Sequence, residues 1–186
     1  MRTTAPGQSA LLLLDAIDVL AKAGVDYAVV GAMAAAVHGA VRASVDADAV
    51  LSSRPGEGAA LEQAFAAAGF VADFRRGDAE DPIAAVLLVS DAYGNRIDFL
   101  IGLRGLDAGV FRRAVRVPLQ GRELRVAGVE DFIAMKVFAG GPQDLTDARR
   151  ARAVAGDALD LALLRRLAAG YGPSAAATLE QLLRGD

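Results

Sequence analysis

The segment Val45-Asp46-Ala47-Asp48-Ala49-Val50-Leu51 constrains the fold more than any other stretch of the chain. Its alternation has the two-residue period of a strand, and a strand puts residues i and i+2 on one face, ~6–7 Å apart. Asp46 and Asp48 therefore project side by side from an otherwise apolar strand. Neighbouring carboxylates repel, and each loses hydration on burial. A fold that keeps this strand inside must supply a compensating charge. A divalent cation does so economically, because hard oxygen ligands suit Mg²⁺. Spacing alone leaves one alternative, an edge strand whose two aspartates face solvent.

The rest of the chain reads as helices stopped by glycines and short strands between them. Residues 8–23 carry apolar positions at helical spacing and end at Gly24. Residues 27–30 form an apolar run ending at Gly31, a buried strand, and 32–38 a short helix ending at Gly39. A loop over 52–58 leads to a helix over 59–68, a strand over 70–74 and a polar loop over 75–82. Strands over 83–89 and 96–101 flank a turn at Tyr93-Gly94-Asn95 and form a hairpin, and 114–117 with 123–126 flank a second turn. Helices follow over 129–139, 144–155, 157–169 and 174–183, the last with Ser174 as its cap. The order predicts an α+β, α/β-like fold: a short mixed β-sheet flanked by helices. Residues 1–128 form the core and 129–186 a C-terminal helical part packed on it.

Composition narrows the chemistry. The chain has 186 residues, 54% hydrophobic and 23% charged, which suits one domain with a helical appendage and excludes disorder. It has no cysteine and one histidine, so thiolate sites, disulfides and multi-histidine metal sites are ruled out. The net charge of −3 lacks the basic bias of an obligate nucleic-acid binder. Arg112, Arg113, Arg116, Arg122, Arg125, Arg149, Arg150 and Arg152 read as solvated faces, with an RNA-contacting surface as the minority reading. The apolar run over 10–14 is interrupted by Asp15 and is too short to span a membrane. A cytoplasmic protein without membrane contact is expected.

Three further features surround the paired aspartates. Asp98 lies within the apolar strand 96–101 and needs a partner; if that strand neighbours the first, three carboxylates converge, and otherwise Asp98 pairs with Arg96 or Arg42. Such a trio can hold one or two metals that clamp phosphate oxygens. Gly31-Ala32 stands where a strand turns into a helix, a place where backbone N–H groups can cradle phosphate. Arg42 and Ser44 precede the carboxylates and can hold phosphate oxygens. His38, just before Gly39, reads as a helix-end residue.

The pattern Val29-Val30-Gly31-Ala32, His38-Gly39, Arg42-Ala43-Ser44-Val45-Asp46-Ala47-Asp48 resembles the nucleotidyltransferase superfamily, whose form is Gly-Gly or Gly-Ser at a helix start followed by Arg-x-Ser/Thr-x-Asp-hydrophobic-Asp. The segment 126–136, ending Ala134-Met135-Lys136, and Asp144-Leu145-Thr146-Asp147 are similar to downstream segments of its AbiEii-type and minimal members, found in toxin–antitoxin and phage-defence systems. The resemblance spans about residues 10–155. It implies a nucleotidyltransferase fold and Mg²⁺- or Mn²⁺-dependent transfer of an NMP from an NTP to a hydroxyl. The acceptor is a tRNA, a protein or a small molecule such as an aminoglycoside, and a toxin–antitoxin partner protein is implied as well. It assigns Asp46, Asp48 and Asp98 to metal and catalysis, and Gly31, Ala32, Arg42, Ser44 and Lys136 to the nucleotide, with Asp144 and Asp147 as second-tier candidates. The bland readings are a helix-surface lysine and two first-turn aspartates. Ala32 departs from the family's Gly or Ser and loses a hydroxyl contact, and Ala47 is smaller than the usual branched residue. Ala32 is the feature that favours the alternative, a degenerate binding module acting as antitoxin or partner subunit.

Overall fold

The computed structural model describes residues 1–42 and 44–185. Ala43, inside the resembling motif, lies outside the described residues. Helix α1 (Ser9–Lys22) leads to β1 (Tyr27–Val30), α2 (Gly31–Val37) and β2 (Asp46–Leu51). Helix α3 (Gly58–Ala67) precedes β3 (Val71–Arg76), β4 (Ile83–Ser90) and β5 (Arg96–Leu103). A four-residue α4 (Val110–Arg113) and the hairpin of β6 (Val115–Leu119) and β7 (Arg122–Val126) complete the sheet-forming part. Helices α5 (Val129–Ala139), α6 (Pro142–Ala155), α7 (Leu161–Gly170) and α8 (Pro173–Arg184) follow.

The seven strands form one mixed sheet in the order β3-β4-β5-β2-β1-β7-β6. β2 lies at its centre, antiparallel to β1 and parallel to β5. That position removes the edge-strand alternative, since β2 has a strand on each side: Asp48 is paired with both β1 and β5, and Asp46 with β5. The sheet sorts its side chains by the strand period. Ala47, Ala49 and Leu51 on β2, with Ile97, Phe99 and Ile101 on β5, point to one face and are buried. They pack in the main core with Leu12, Leu13 and Leu20 of α1 and Leu61 and Phe65 of α3. The small Ala47 and Ala49 leave room for α1 rather than loosening the strand. A smaller apolar cluster of Ala28, Val30, Val50, Val110 and Ala127 floors the opposite face, which carries the acids.

Several expected boundaries move for identifiable reasons. The strand expected over 70–74 extends to Arg76, because β4 supplies partners as far as Ala85. The helix expected over 157–169 is a 3-10 turn, Gly156–Ala158, followed by α7, whose cap is Asp160: its carboxylate accepts from the Leu163 N–H at 2.9 Å. Ser174 does not cap α8. Pro173 takes the first helical position, and the cap falls on Gly172. The 3-10 turn Pro55–Glu57 and α4 are too short for any period to announce.

Of the eight arginines expected on solvated faces, Arg112, Arg116, Arg149 and Arg150 are exposed, while Arg113, Arg122, Arg125 and Arg152 tie elements together. Arg113 grips the buried Asp131 through two nitrogens, at 2.7 and 2.6 Å, and reaches Asp107 at 2.8 Å. Arg122 holds Asp18 of α1, Arg125 holds Asp26, and Arg152 donates to carbonyls of α8.

Phe99 is fully buried, and its ring centroid lies 5.5 Å from that of Phe65. Phe99→Ala should cost about 3–5 kcal/mol, read by chemical denaturation. A loss below 1 kcal/mol would show that this contact does not anchor β5.

Candidate active site

The register of β2 and β5 decides the geometry. Asp48 stands directly opposite Asp98, and Asp46 opposite Arg96. Because the strands are adjacent and in phase, Asp46, Asp48 and Asp98 share one face at the middle of the sheet. Next to them, β1 turns into α2 at Gly31, which has a left-handed φ of 61°. Val30 is paired with Asp48, so the turn is laid against that aspartate. A Cβ at Gly31 would overlap the Asp48 carboxylate. Glycine is thus needed here twice, for its backbone angle and for the space.

The three acids are not equivalent. Burial pushes the Asp48 carboxyl above its ordinary range, and the charges of Asp98 and Asp46 push the same way; Lys136 and Arg42 pull against them. Burial also raises Asp98, with Arg96 pulling down and Asp46 pushing up. Arg96 bridges two of the three: its Nη2 lies 2.9 Å from Asp46 Oδ2, and its Nε 2.9 Å from Asp98 Oδ1. The second contact is an ion pair without hydrogen-bond alignment, and Asp98 Oδ1 is buried with no hydrogen bond. Among the described residues, no hydrogen bond or ion pair reaches the Asp48 carboxylate.

Among the described residues, no three Asp, Glu or His side chains stand in a ready metal-holding array. The expected convergence on a single point is not what this arrangement has: the acids share a face, with a guanidinium spanning two of them. The donor set still suits a hard divalent ion. It is all carboxylate oxygen, two of its members are desolvated, and one buried oxygen lacks a hydrogen bond.

The remaining candidates form a second charged group beside the first. Lys136 on α5 is buried, not a surface lysine; its Nζ lies 2.7 Å from Asp144 and 3.2 Å from Asp147. Asp147, wholly buried in α6, also receives Arg42 Nε at 3.3 Å and Gln143 at 2.8 Å. Burial opposes its charge, but those donors win and hold its carboxyl below the usual range. Asp144 lies in the first turn of α6, as one reading had it, and also pairs with Lys136; Asp147 lies beyond that turn and works through its side-chain partners. The Ser44 hydroxyl donates to the Asp46 carbonyl at 3.1 Å. His38 caps α2, as expected, with Nε2 2.8 Å from the Ala127 carbonyl.

Two hollows flank the acids. One of about 170 Å³ lies among Ala32, Met33, Arg42, Ser44 and Asp46. Another of about 500 Å³ runs past Arg75, Pro82, Val86 and Leu88 to Asp98. A hollow of about 770 Å³ between α6, α7 and α8 touches none of the three acids, and its size alone gives it no chemistry.

Sequence reasoning missed Ser9. Its Oγ donates to the Val45 carbonyl at 2.6 Å and accepts from the Arg96 N–H at 3.1 Å, tying the entrances of β2 and β5 together. No local pattern marks a serine that bonds across 36 and 87 residues.

No protein-family model matches the chain, and no curated protein matches it. Solved structures do. The solution structure of the antibiotic-resistance factor ANT(2'')-Ia superposes with a TM-score of 0.60 at 14% identity, over 96% of this chain and 98% of that one. The crystal structure of ANT(2'')-Ia in complex with adenylyl-2''-tobramycin gives a TM-score of 0.60 at 14% identity, over 88% and 96%. The chain has the nucleotidyltransferase fold. The likeness is one of fold, and the chemistry has to be argued from this chain's own side chains.

A raised Asp48 makes its ionisation a burden on the fold. Below the ordinary carboxylate pKa the group is protonated whether the chain is folded or not, and the burden vanishes. As pH rises through the window above that value, the folded state binds more protons than the unfolded one, so stability falls. Asp48→Asn should therefore be more stable than the wild type at pH 7 in chelator, and equal to it near pH 3. Denaturation across pH measures this, and a variant less stable at pH 7 would contradict it.

Proposed function

We propose that this protein is a Mg²⁺- or Mn²⁺-dependent nucleotidyltransferase that moves an NMP from an NTP to a hydroxyl acceptor. The observation that carries the reading is the placement of Asp46, Asp48 and Asp98 on one face beside the Gly31 turn, in a chain with the nucleotidyltransferase fold. Asp46, Asp48 and Asp98 would hold the metal, which supplies Lewis-acid polarisation of the phosphate and offsets its charge.

The acceptor oxygen attacks the α-phosphorus, the bond to the bridging oxygen breaks, and pyrophosphate leaves. Asp98, the third carboxylate, takes the hydroxyl proton. Catalysis beyond that is positioning and charge stabilisation. The hollow at Ala32, Arg42 and Ser44 suits the phosphate end of the donor, and at about 170 Å³ it is too small for a whole nucleotide. The hollow leading to Asp98 lies on the acceptor side. Gly31 and Ala32 offer backbone N–H groups, and Lys136 and Arg42 offer charge once drawn away from Asp147.

Among the acceptors, a small molecule is favoured over tRNA. The fold neighbour ANT(2'')-Ia was solved with an adenylylated tobramycin, the net charge here is −3, and Arg113 and Arg122 are spent on internal pairs. A cytoplasmic setting, and a toxin–antitoxin partner of the kind the AbiEii resemblance implies, belong to the same proposal. Ala32 favours a second reading, a degenerate fold that binds a partner without turnover. Calorimetry with Mg²⁺ and each NTP separates the two.

The decisive assay incubates the protein with each α-labelled NTP and Mg²⁺, offering aminoglycosides, total tRNA and co-encoded protein as acceptors. Labelled product should form with one acceptor class and fall by about 100-fold or more in Asp46→Asn/Asp48→Asn. Product that persists in the double variant would refute the assignment.

A further inference from the structure

We infer that Arg96 is the resting counter-ion of the acidic cluster, spanning Asp46 and Asp98 where a divalent cation must sit, and that cation binding is thereby coupled to nucleotide binding. This rests on the function proposed above, since it concerns how the same site is loaded.

The pairing is built into the strands. Arg96 faces Asp46 across the parallel β2–β5 ladder and shares its own side of β5 with Asp98, two residues on. Its guanidinium makes three contacts, with Nη2 2.9 Å from Asp46 Oδ2, Nε 2.9 Å from Asp98 Oδ1 and Nη2 3.3 Å from Asp98 Oδ2. A planar fork of this kind can span two carboxylates at once, which an ammonium group cannot do as well. The other cations near the cluster, Arg42 and Lys136, are committed to Asp147 and Asp144. Among the described residues, no other cationic side chain touches these acids.

The Arg96 side chain is 47% exposed, so it can turn away without unfolding the sheet. A free divalent ion must break both ion pairs and leave a guanidinium with no anion to meet. An NTP changes that balance, because it brings phosphate oxygens that a released guanidinium can pair with. The metal and the nucleotide then favour each other, and by linkage the preference is reciprocal. Remove the guanidinium, and the three acids should take the ion unaided.

Binding of Mn²⁺, followed by electron paramagnetic resonance of the free ion, tests this without turnover. Each titration is run alone and with the four α,β-methylene nucleoside triphosphates in turn. The wild type should bind Mn²⁺ weakly alone and about tenfold tighter with the accepted nucleotide. Arg96→Gln should bind Mn²⁺ alone about tenfold tighter than the wild type and gain little from nucleotide. Arg96→Lys, which keeps the charge but not the fork, should lie between them, and it decides the matter if Arg96→Gln does not fold. Equal or weaker Mn²⁺ binding by the variants, with the wild type still responding to nucleotide, would overturn the inference and leave the proposed function standing. No Mn²⁺ binding by any of the proteins, with or without nucleotide, would overturn both.

Discussion

Mutual repulsion among three carboxylates at the centre of one sheet is the constraint on which the rest depends. Two unit charges ~6 Å apart, at an effective dielectric near 20, repel by about 3 kcal/mol. Asp46, Asp48 and Asp98 make three such pairs on strands whose reverse faces are sealed by α1 and α3. Burial first, and the neighbouring acid charges after it, push Asp48 and Asp98 above ordinary carboxylate values. A fold that needed only a stable core would put valine here. Keeping acids at the middle strands makes sense when a ligand that relieves the stress belongs to the function.

The relief extends through the molecule as a chain of alternating charge. Asp98 and Asp46 share Arg96 at one end; at the other, Asp147 gathers Arg42 and Lys136, with Asp144 behind. Lys136 also lies over the Phe132 ring, 5.6 Å from its centroid, and Phe132 packs against His38 at the end of α2. Helix α5 thereby reaches the C-terminal end of α2 through side chains. Arg113 does a similar task on another side, holding Asp131 of α5 to the segment before β6. The helical part is thus positioned by the same electrostatics as the site, and removing one partner would leave a charge stranded in the interior.

The fold was legible wherever periodicity ran long enough to act. The strands at 27–30, 45–51, 83–89 and 96–101 follow from alternation or apolar runs between glycines, and the pairing of the last two from the turn between them. Local pattern failed where a cap competed with a period, at Asp160 and Gly172, and where an element was a single turn, at 110–113. In the site, the sequence made the Asp-x-Asp pair plain, because two acids in an apolar strand break the pattern. It left open whether Asp98 met them, since that depends on which strand lies beside β2. Strand order is a property of the whole sheet, and no spacing encodes it. The sequence also offered Asp98 either a place in the trio or a salt bridge with Arg96, and the structure has both at once. Ser9 and the burial of Lys136 were invisible for a similar reason: each acquires its role from residues far away in the chain.

The departure at Ala32 can now be weighed in physical terms. A Gly or Ser at that position differs from Ala by a methyl or by a hydroxyl that could donate one hydrogen bond. The Ala32 side chain is buried at 4% exposure, against the small hollow it shares with Arg42 and Ser44. One hydrogen bond to a charged oxygen is worth about 1.5–3 kcal/mol. Backbone N–H groups at the start of α2 and the nearby guanidinium of Arg42 can contribute on that scale. The acids are different, because no uncharged backbone group can replace a carboxylate as a ligand for a hard cation. Loss of a hydroxyl at 32 therefore lowers affinity by a factor that neighbours can restore, whereas loss of Asp48 or Asp98 removes the feature that sets the site apart from an ordinary sheet. Retention of all three acids, at a standing cost to stability, outweighs the missing hydroxyl and favours the enzyme over the degenerate module.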